Sequence, residues 1–117
     1  FAIRDSFEVA KSLGIHIERT KICGGGAKSP LWRKIIANVL NIKVDRIASE
    51  EGPALGGAML AAVADGTFAS VEAAAAKIVK VVETVEPDPE IAEKYETQYR
   101  KFVQIYPTVK VLFPKLS

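Results

Sequence analysis

The sequence predicts an α/β fold with few strands and several covering helices. Three observations predict it. Short apolar runs that suit strands alternate with longer stretches whose apolar residues recur at helical spacing. The first strand-like run stops at Gly24-Gly25-Gly26, and a well-capped helix starts just after. The 117 residues are 49% hydrophobic and 26% charged, an ordinary globular balance that can bury a modest core.

Ile3, Phe7 and Ala10 fall at helical spacing, and Gly14 stands where a left-handed residue would stop that helix. Ile17 to Cys23 reads as a strand bounded by the glycine turn. Ser29 is a good N-cap and Pro30 suits the first helical position. Leu31, Trp32, Ile35, Ile36, Val39 and Leu40 then form an apolar stripe, with Asn41 as a stop. Lys43 to Ile47 predicts a second strand. Gly52-Pro53 opens a helix that Gly66 closes, and Ser70 caps another through Ala73 to Ala76. Lys80 to Val85 fits either a third strand or an extended linker. Pro87-Asp88-Pro89 breaks the chain and caps a last helix. Ile91, Tyr95, Tyr99, Phe102 and Tyr106 mark its apolar face, and Pro107 ends or kinks it. Strands alternating with helices imply at least one parallel pair.

The formal net charge of +2 is too small, and no basic run is dense enough, to argue for nucleic acid or a membrane surface, so neither is expected as a partner. One cysteine, Cys23, excludes an internal disulfide and suits a reducing compartment, so a cytoplasmic protein is expected. With one histidine as well, a zinc site built from protein ligands alone is not expected. No run is long and apolar enough to span a bilayer. Phe1-Ala2-Ile3-Arg4-Asp5 reads as a helix already under way, and two strands make a poor sheet by themselves. Residues 1–117 are therefore expected to be one partial domain of a longer protein.

Strand, glycine turn, helix is a common cradle for phosphate or nucleotide. It is equally a tight turn with no ligand. Two familiar phosphate motifs fail here. A Walker A loop needs glycine at the positions of Ile22 and Ala27. A dinucleotide fingerprint starting at Gly24 meets Ser29 where it needs Gly or Ala, although Asp45 or Glu50 would supply the acid further on.

The run Cys23-Gly24-Gly25-Gly26-Ala27-Lys28-Ser29-Pro30-Leu31-Trp32-Arg33 resembles the C-terminal domain of the FGGY carbohydrate kinases. Glu50-Glu51-Gly52-Pro53-Ala54-Leu55-Gly56-Gly57-Ala58-Met59-Leu60-Ala61 agrees in order and spacing. The opening pentapeptide is similar to the end of a helix just before this region, and the tail from Val85 to Tyr106 is similar too. The resemblance covers nearly the whole chain but only a minor, C-terminal part of a complete member. It is strongest to members that phosphorylate D-xylulose.

The resemblance implies part of an actin-like ATPase (ribonuclease H-like) domain. It implies ATP or ADP with Mg2+ as cofactors and a ketose or polyol as the sugar partner. Gly25, Gly26 and Ala27 would meet the nucleotide near its ribose and α-phosphate, with Gly24 shaping the turn. A side chain at Gly26 would take space the nucleotide needs. Lys28 and Ser29 are candidates for polar contacts, and Ser29 also reads as a helix cap. Members similar to glycerol kinase place an asparagine on adenine at the position held here by Pro30, so that contact does not carry over. The catalytic base, the metal contacts and most sugar contacts are implied to lie outside these residues, which leaves the chain alone inactive.

Other readings stand beside this one. A non-catalytic assembly module would use the glycine turn for structure only, and exposed apolar surface would favour a homo-oligomer. A dinucleotide-binding fragment is a third. Gly56 and Gly57 predict a close approach of their helix to the glycine turn. Cys23 reads as a small packed hydrophobe, His16 as a surface residue, and Trp32, Tyr95, Tyr99 and Tyr106 as core or interface. Glu50 and Glu51 suit a helix N-terminus.

Overall fold

The computed structural model describes residues 1–116. Its helices are α1 (Ala2–Ser12), α2 (Pro30–Leu40), α3 (Gly52–Ala64), α4 (Val71–Ile78), α5 (Pro89–Phe102), α6 (Ile105–Lys110) and α7 (Phe113–Leu116). Its strands are β1 (Arg19–Ile22), β2 (Lys43–Ile47) and β3 (Val81–Val85). The strands form one mixed sheet in the order β1-β2-β3. β1 runs parallel to the central β2, with Arg19 opposite Lys43 and Ile22 opposite Arg46. β3 runs antiparallel to β2, with Asp45 opposite Thr84 and Arg46 opposite Glu83.

The caps sit where the residue types place them. The hydroxyl of Ser29 accepts from the N–H of Trp32 at 3.2 Å, and that of Ser70 from Ala73 at 3.2 Å. Asp88 caps α5 by accepting from Glu90 and Ile91 at 3.0 and 3.3 Å. Gly14 lies just beyond α1 at φ +81°, and Asn41 ends α2 at φ 53°. β1 is shorter than the apolar run predicts. It begins where β2 offers a partner at Lys43, and Gly24 turns the chain at its far end. Pro107 does not end the long helix. α5 stops at Phe102, and Pro107 stands in the first turn of α6, where a missing N–H costs little. Tyr106 consequently belongs to α6 rather than to the face of α5.

α2 is the hub. It packs on α5, on α1 and on β2 and β3. The core joins Ala37, Val39 and Leu40 of α2 to Ile42, Val44 and Ala92. On α2 the buried face is Arg33, Ala37, Asn38, Val39 and Leu40, so the helix is rotated from the predicted stripe. Leu31 and Trp32 are exposed, and Trp32 is no core residue. α1 is held to α5 by the ring of Phe1 against Tyr95, Tyr99 and Phe102, and by Arg4 bonding Glu96. α3 packs mainly on α4, and none of its residues is buried although nearly all are apolar. The radius of gyration, 18.0 Å, exceeds the roughly 13 Å of a compact chain this long, consistent with elements that stand away from the sheet.

Candidate functional site

β1 delivers the chain to Cys23, and the turn that follows is a short 3₁₀ helix, Gly25–Lys28. Sequence reasoning did not foresee this helical turn. It is closed by the N–H of Ala27 on the carbonyl of Gly24 at 3.0 Å and that of Ser29 on Gly26 at 3.3 Å. Gly24 to Ser29 thus form one continuous turn ahead of α2. Ala27 is buried beneath it, while Gly25, Gly26, Lys28 and Ser29 are exposed.

The glycines of this turn have different causes. Gly24 sits at φ 78°, ψ −173°, a region that essentially only glycine occupies. Gly26 is confined by a side chain of this chain: a Cβ there would lie 2.9 Å from Trp32 Cδ1 and 3.1 Å from Nε1. The indole therefore accounts for that glycine. Gly25 has no positive φ, and nothing lies within 4 Å of where its Cβ would be.

Beside the turn is a hollow of about 20 Å³ lined by Cys23, Gly24, Ala27, Lys28, Ile47 and Glu50. That is room for about one water, not a nucleotide. Lys28 spans it, its Nζ 2.7 Å from Glu50 Oε2, with both side chains exposed. An exposed pair of this kind contributes little to stability and gives way readily to a competing partner. Ser29 caps α2, so its oxygen already accepts one bond.

Cys23 is exposed rather than packed away as a small hydrophobe. Its sulfur nevertheless marks the close approach of α3 to the turn: a Cβ on Gly52 would fall 2.3 Å from Cys23 Sγ. The expected contact through Gly56 and Gly57 is not there, since nothing lies within 4 Å of a Cβ at either. α3 meets the turn with its first residue.

Two polar clusters, one under the turn and one across the sheet, escaped the sequence. Arg33, on the buried face of α2, donates through Nη1 to the carbonyl of Ala27 and through Nη2 to both oxygens of Glu83, each at 2.9 Å. Arg46 donates to the same carboxylate at 3.3 Å. Hydrogen bonding from Arg33, then from Arg46, holds the Glu83 carboxyl below its ordinary range. Asp45, 1% exposed, accepts from Arg19 Nε and Nη2 at 3.0 and 2.9 Å and from Thr84 Oγ1 at 2.7 Å. Its carboxyl is likewise held low, chiefly by Arg19. Asp45 thus ties the strands together and is not free to read a ribose. The one sequence signal was an arginine at position 33, a turn ahead of Ala37 on the same face. Its acidic partner lies 50 residues on and is brought close only by the antiparallel register.

Among the described residues no group of three or more His, Cys, Asp or Glu side chains could hold a metal ion. No helix there is long and apolar enough to cross a membrane.

The profile of the FGGY family of carbohydrate kinases, C-terminal domain, matches residues 1–64. Over 112 residues the chain is 34% identical to a xylulose kinase of Staphylococcus epidermidis, covering 96% of this chain and 23% of that protein. It is 33% identical over 99 residues to an autoinducer-2 kinase of Escherichia coli, covering 85% of this chain and 19% of that one. The crystal structure of xylulose kinase from Rhodospirillum rubrum matches with a TM-score of 0.77 at 33% identity, over 96% of this chain and 23% of that one. The chain spans less than a quarter of the length of these relatives.

Proposed function

The chain belongs to the FGGY family of carbohydrate kinases, as part of the C-terminal domain, and from that premise we propose that it supplies the nucleotide side of the cleft in an ATP-dependent kinase of D-xylulose. Residues 1–117 are then one partial domain, and the remainder of the protein contributes the sugar site. The observation that carries this reading is Gly25. Backbone conformation accounts for Gly24 and the Trp32 indole for Gly26, but nothing among the described residues requires glycine at position 25. An open, exposed backbone there suits the close approach of a ligand.

In this reading the exposed backbone at Gly25 and Gly26 faces the ribose and α-phosphate, with Gly24 turning the chain to present it; Ala27, expected as a contact, is buried with its N–H and carbonyl both bonded and supports the turn from below. Lys28 exchanges Glu50 for a phosphate oxygen, which an exposed ion pair permits at small cost. Ser29 keeps its cap and adds at most a hydroxyl donor. Bound Mg-ATP supplies the transferable phosphoryl group. The residues present fit the nucleotide better than its metal, since the described residues hold no cluster of three or more His, Cys, Asp or Glu side chains. Mg2+ would then reach the site with the nucleotide and be held by residues outside this chain. No residue of this chain is assigned as the base for the sugar hydroxyl, so the chain alone is expected not to turn over.

The test is ADP release by the full-length protein with ATP and a panel of D-xylulose, other ketoses, polyols, D-gluconate and autoinducer-2. Preference for D-xylulose is expected. Preference for another member would replace the substrate and keep the kinase; no ADP release with any sugar would reject the activity. An NMR titration of this chain with Mg-ADP, and with NAD as control, should shift Gly25, Gly26 and Ala27 with ADP alone.

A further inference from the structure

Arg33 is buried, charged and unused by the reading above. Its side chain is 5% exposed, and that of Glu83 is 40% exposed. The two η nitrogens are engaged, one on the Ala27 carbonyl and one on the Glu83 carboxylate, while Nε is buried with no hydrogen-bond partner. An unsatisfied buried donor carries a penalty, and a well-packed apolar side chain would fill the space between α2 and β3 without it. What an apolar side chain could not supply is a donor fixed on Ala27, at the heart of the 3₁₀ turn. Glu83 stands opposite Arg46 on the central strand, so the guanidinium registers the turn against the sheet itself. The turn's own closure consists of short-range bonds at 3.0 and 3.3 Å, which leave its pitch weakly determined.

We propose that Arg33 is a positioning residue for the nucleotide: anchored by Glu83, it holds the Gly24–Lys28 turn in one shape, so that the open backbone at Gly25 receives the ligand without reordering. The proposal rests on the nucleotide reading of the turn. It assigns no contact between Arg33 and ligand, because the side chain lies beneath the turn. Preorganising a loop by a bond to its carbonyl raises affinity by removing the ordering cost from the binding step.

The test compares Arg33→Gln, Arg33→Lys and Glu83→Gln. In the full-length protein, Arg33→Gln should raise KM for ATP about tenfold, as expected for loss of a charge-assisted bond. The KM for sugar and kcat should stay within about twofold, because the lost affinity is on the nucleotide side alone. Arg33→Lys should recover part of the loss, and Glu83→Gln should shift KM for ATP in the same direction by less. In this chain, amide exchange at Ala27 and Ser29 should quicken about tenfold in Arg33→Gln while the amides of β2 are unchanged. Equal rises in both KM values would mean general loosening and overturn the proposal. So would unchanged exchange at Ala27 and Ser29, whatever the kinetics. If Arg33→Gln does not fold, Glu83→Gln decides by the same two readouts. A wild-type protein that phosphorylates no sugar would reject the kinase reading instead, and the tether is then judged on exchange and on Mg-ADP affinity.

Discussion

The indole of Trp32 stands over Gly26, so close that a methyl group on Gly26 would lie 2.9 Å from its Cδ1. The two residues are joined through the Ser29 cap, since the N–H of Trp32 is the one that Ser29 receives. The cap fixes where α2 starts, and the start of α2 fixes the ring above the turn. Gly26→Ala should therefore destabilise the chain by about 1–2 kcal/mol, the usual range for a small overpacking. In a Trp32→Ala background the same substitution should cost less than about 0.5 kcal/mol, giving a coupling energy near 1 kcal/mol. Urea unfolding of the four proteins measures it. Equal costs in both backgrounds would show that the ring is not the obstacle.

Cys23 and Gly52 pose the same question at the other side of the turn. A Cβ on Gly52 would meet Cys23 Sγ at 2.3 Å but Cys23 Cβ at only 3.4 Å. Gly52→Ala should thus cost about 1 kcal/mol or more, and Cys23→Ala should remove most of that cost. Gly57, inside the same helix, is exposed with open space about it. Gly57→Ala in this chain should stabilise by roughly 0.5–1 kcal/mol through helix propensity. Thermal melts of Gly52→Ala, Cys23→Ala, their double variant and Gly57→Ala separate the positions. Loss of stability in Gly57→Ala would mean that it too is in close contact.

Acid should loosen the sheet through Asp45. Arg19 and Thr84 stabilise the carboxylate and hold its pKa below the ordinary 3.8. A depressed folded-state pKa gives stability that is fully present above the unfolded value and lost as pH falls through the folded one. The loss should accordingly begin near pH 4 and continue below it. Asp45→Asn should cost about 1–3 kcal/mol at neutral pH, discounted because Arg19 is 57% exposed. It should also flatten the pH dependence below pH 4, which urea midpoints between pH 2 and 7 would record. An Asn variant with the wild-type acid profile would assign that profile to other carboxylates.

The element order was legible because the chain marks its own boundaries. Ser29, Ser70 and Asp88 cap helices, Gly14 and Asn41 stop them, and each does so in the structure. What was illegible was created by register. β3 could not be oriented from its apolar run, and without its antiparallel pairing neither Arg33–Glu83 nor Asp45–Thr84 could be written down. The glycine turn was visible as a turn, but the reason for each glycine was not. A sequence gives no distance from Gly26 to an indole six residues on, nor from Gly52 to a thiol on another element. The small-residue pattern pointed to Gly56 and Gly57, whereas the approach to the turn is made at Gly52.

Alkali should act through Tyr99, which couples α5 to α1. Its hydroxyl donates to Asp5 Oδ1 at 2.6 Å, and the Arg4 guanidinium lies 4.0 Å from its ring centroid. Burial, then the bond to Asp5, pushes the phenol from 10.0 up to about 12. The folded state therefore keeps its proton at a pH where the unfolded chain gives it up. Stability from this group is fully present below pH 10 and is lost as pH rises from there toward 12. Tyr99→Phe keeps the ring for Phe1 and Arg4 but removes the proton, so it should cost about 1 kcal/mol at pH 7. The variant should hold that lower stability unchanged through pH 10–11 while the wild type declines toward it. Denaturant midpoints at pH 7, 9, 10 and 11 measure both curves. Parallel decline of the two proteins would place the alkaline transition elsewhere, and the docking of α1 on α5 would then rest on the rings and on Arg4 with Glu96.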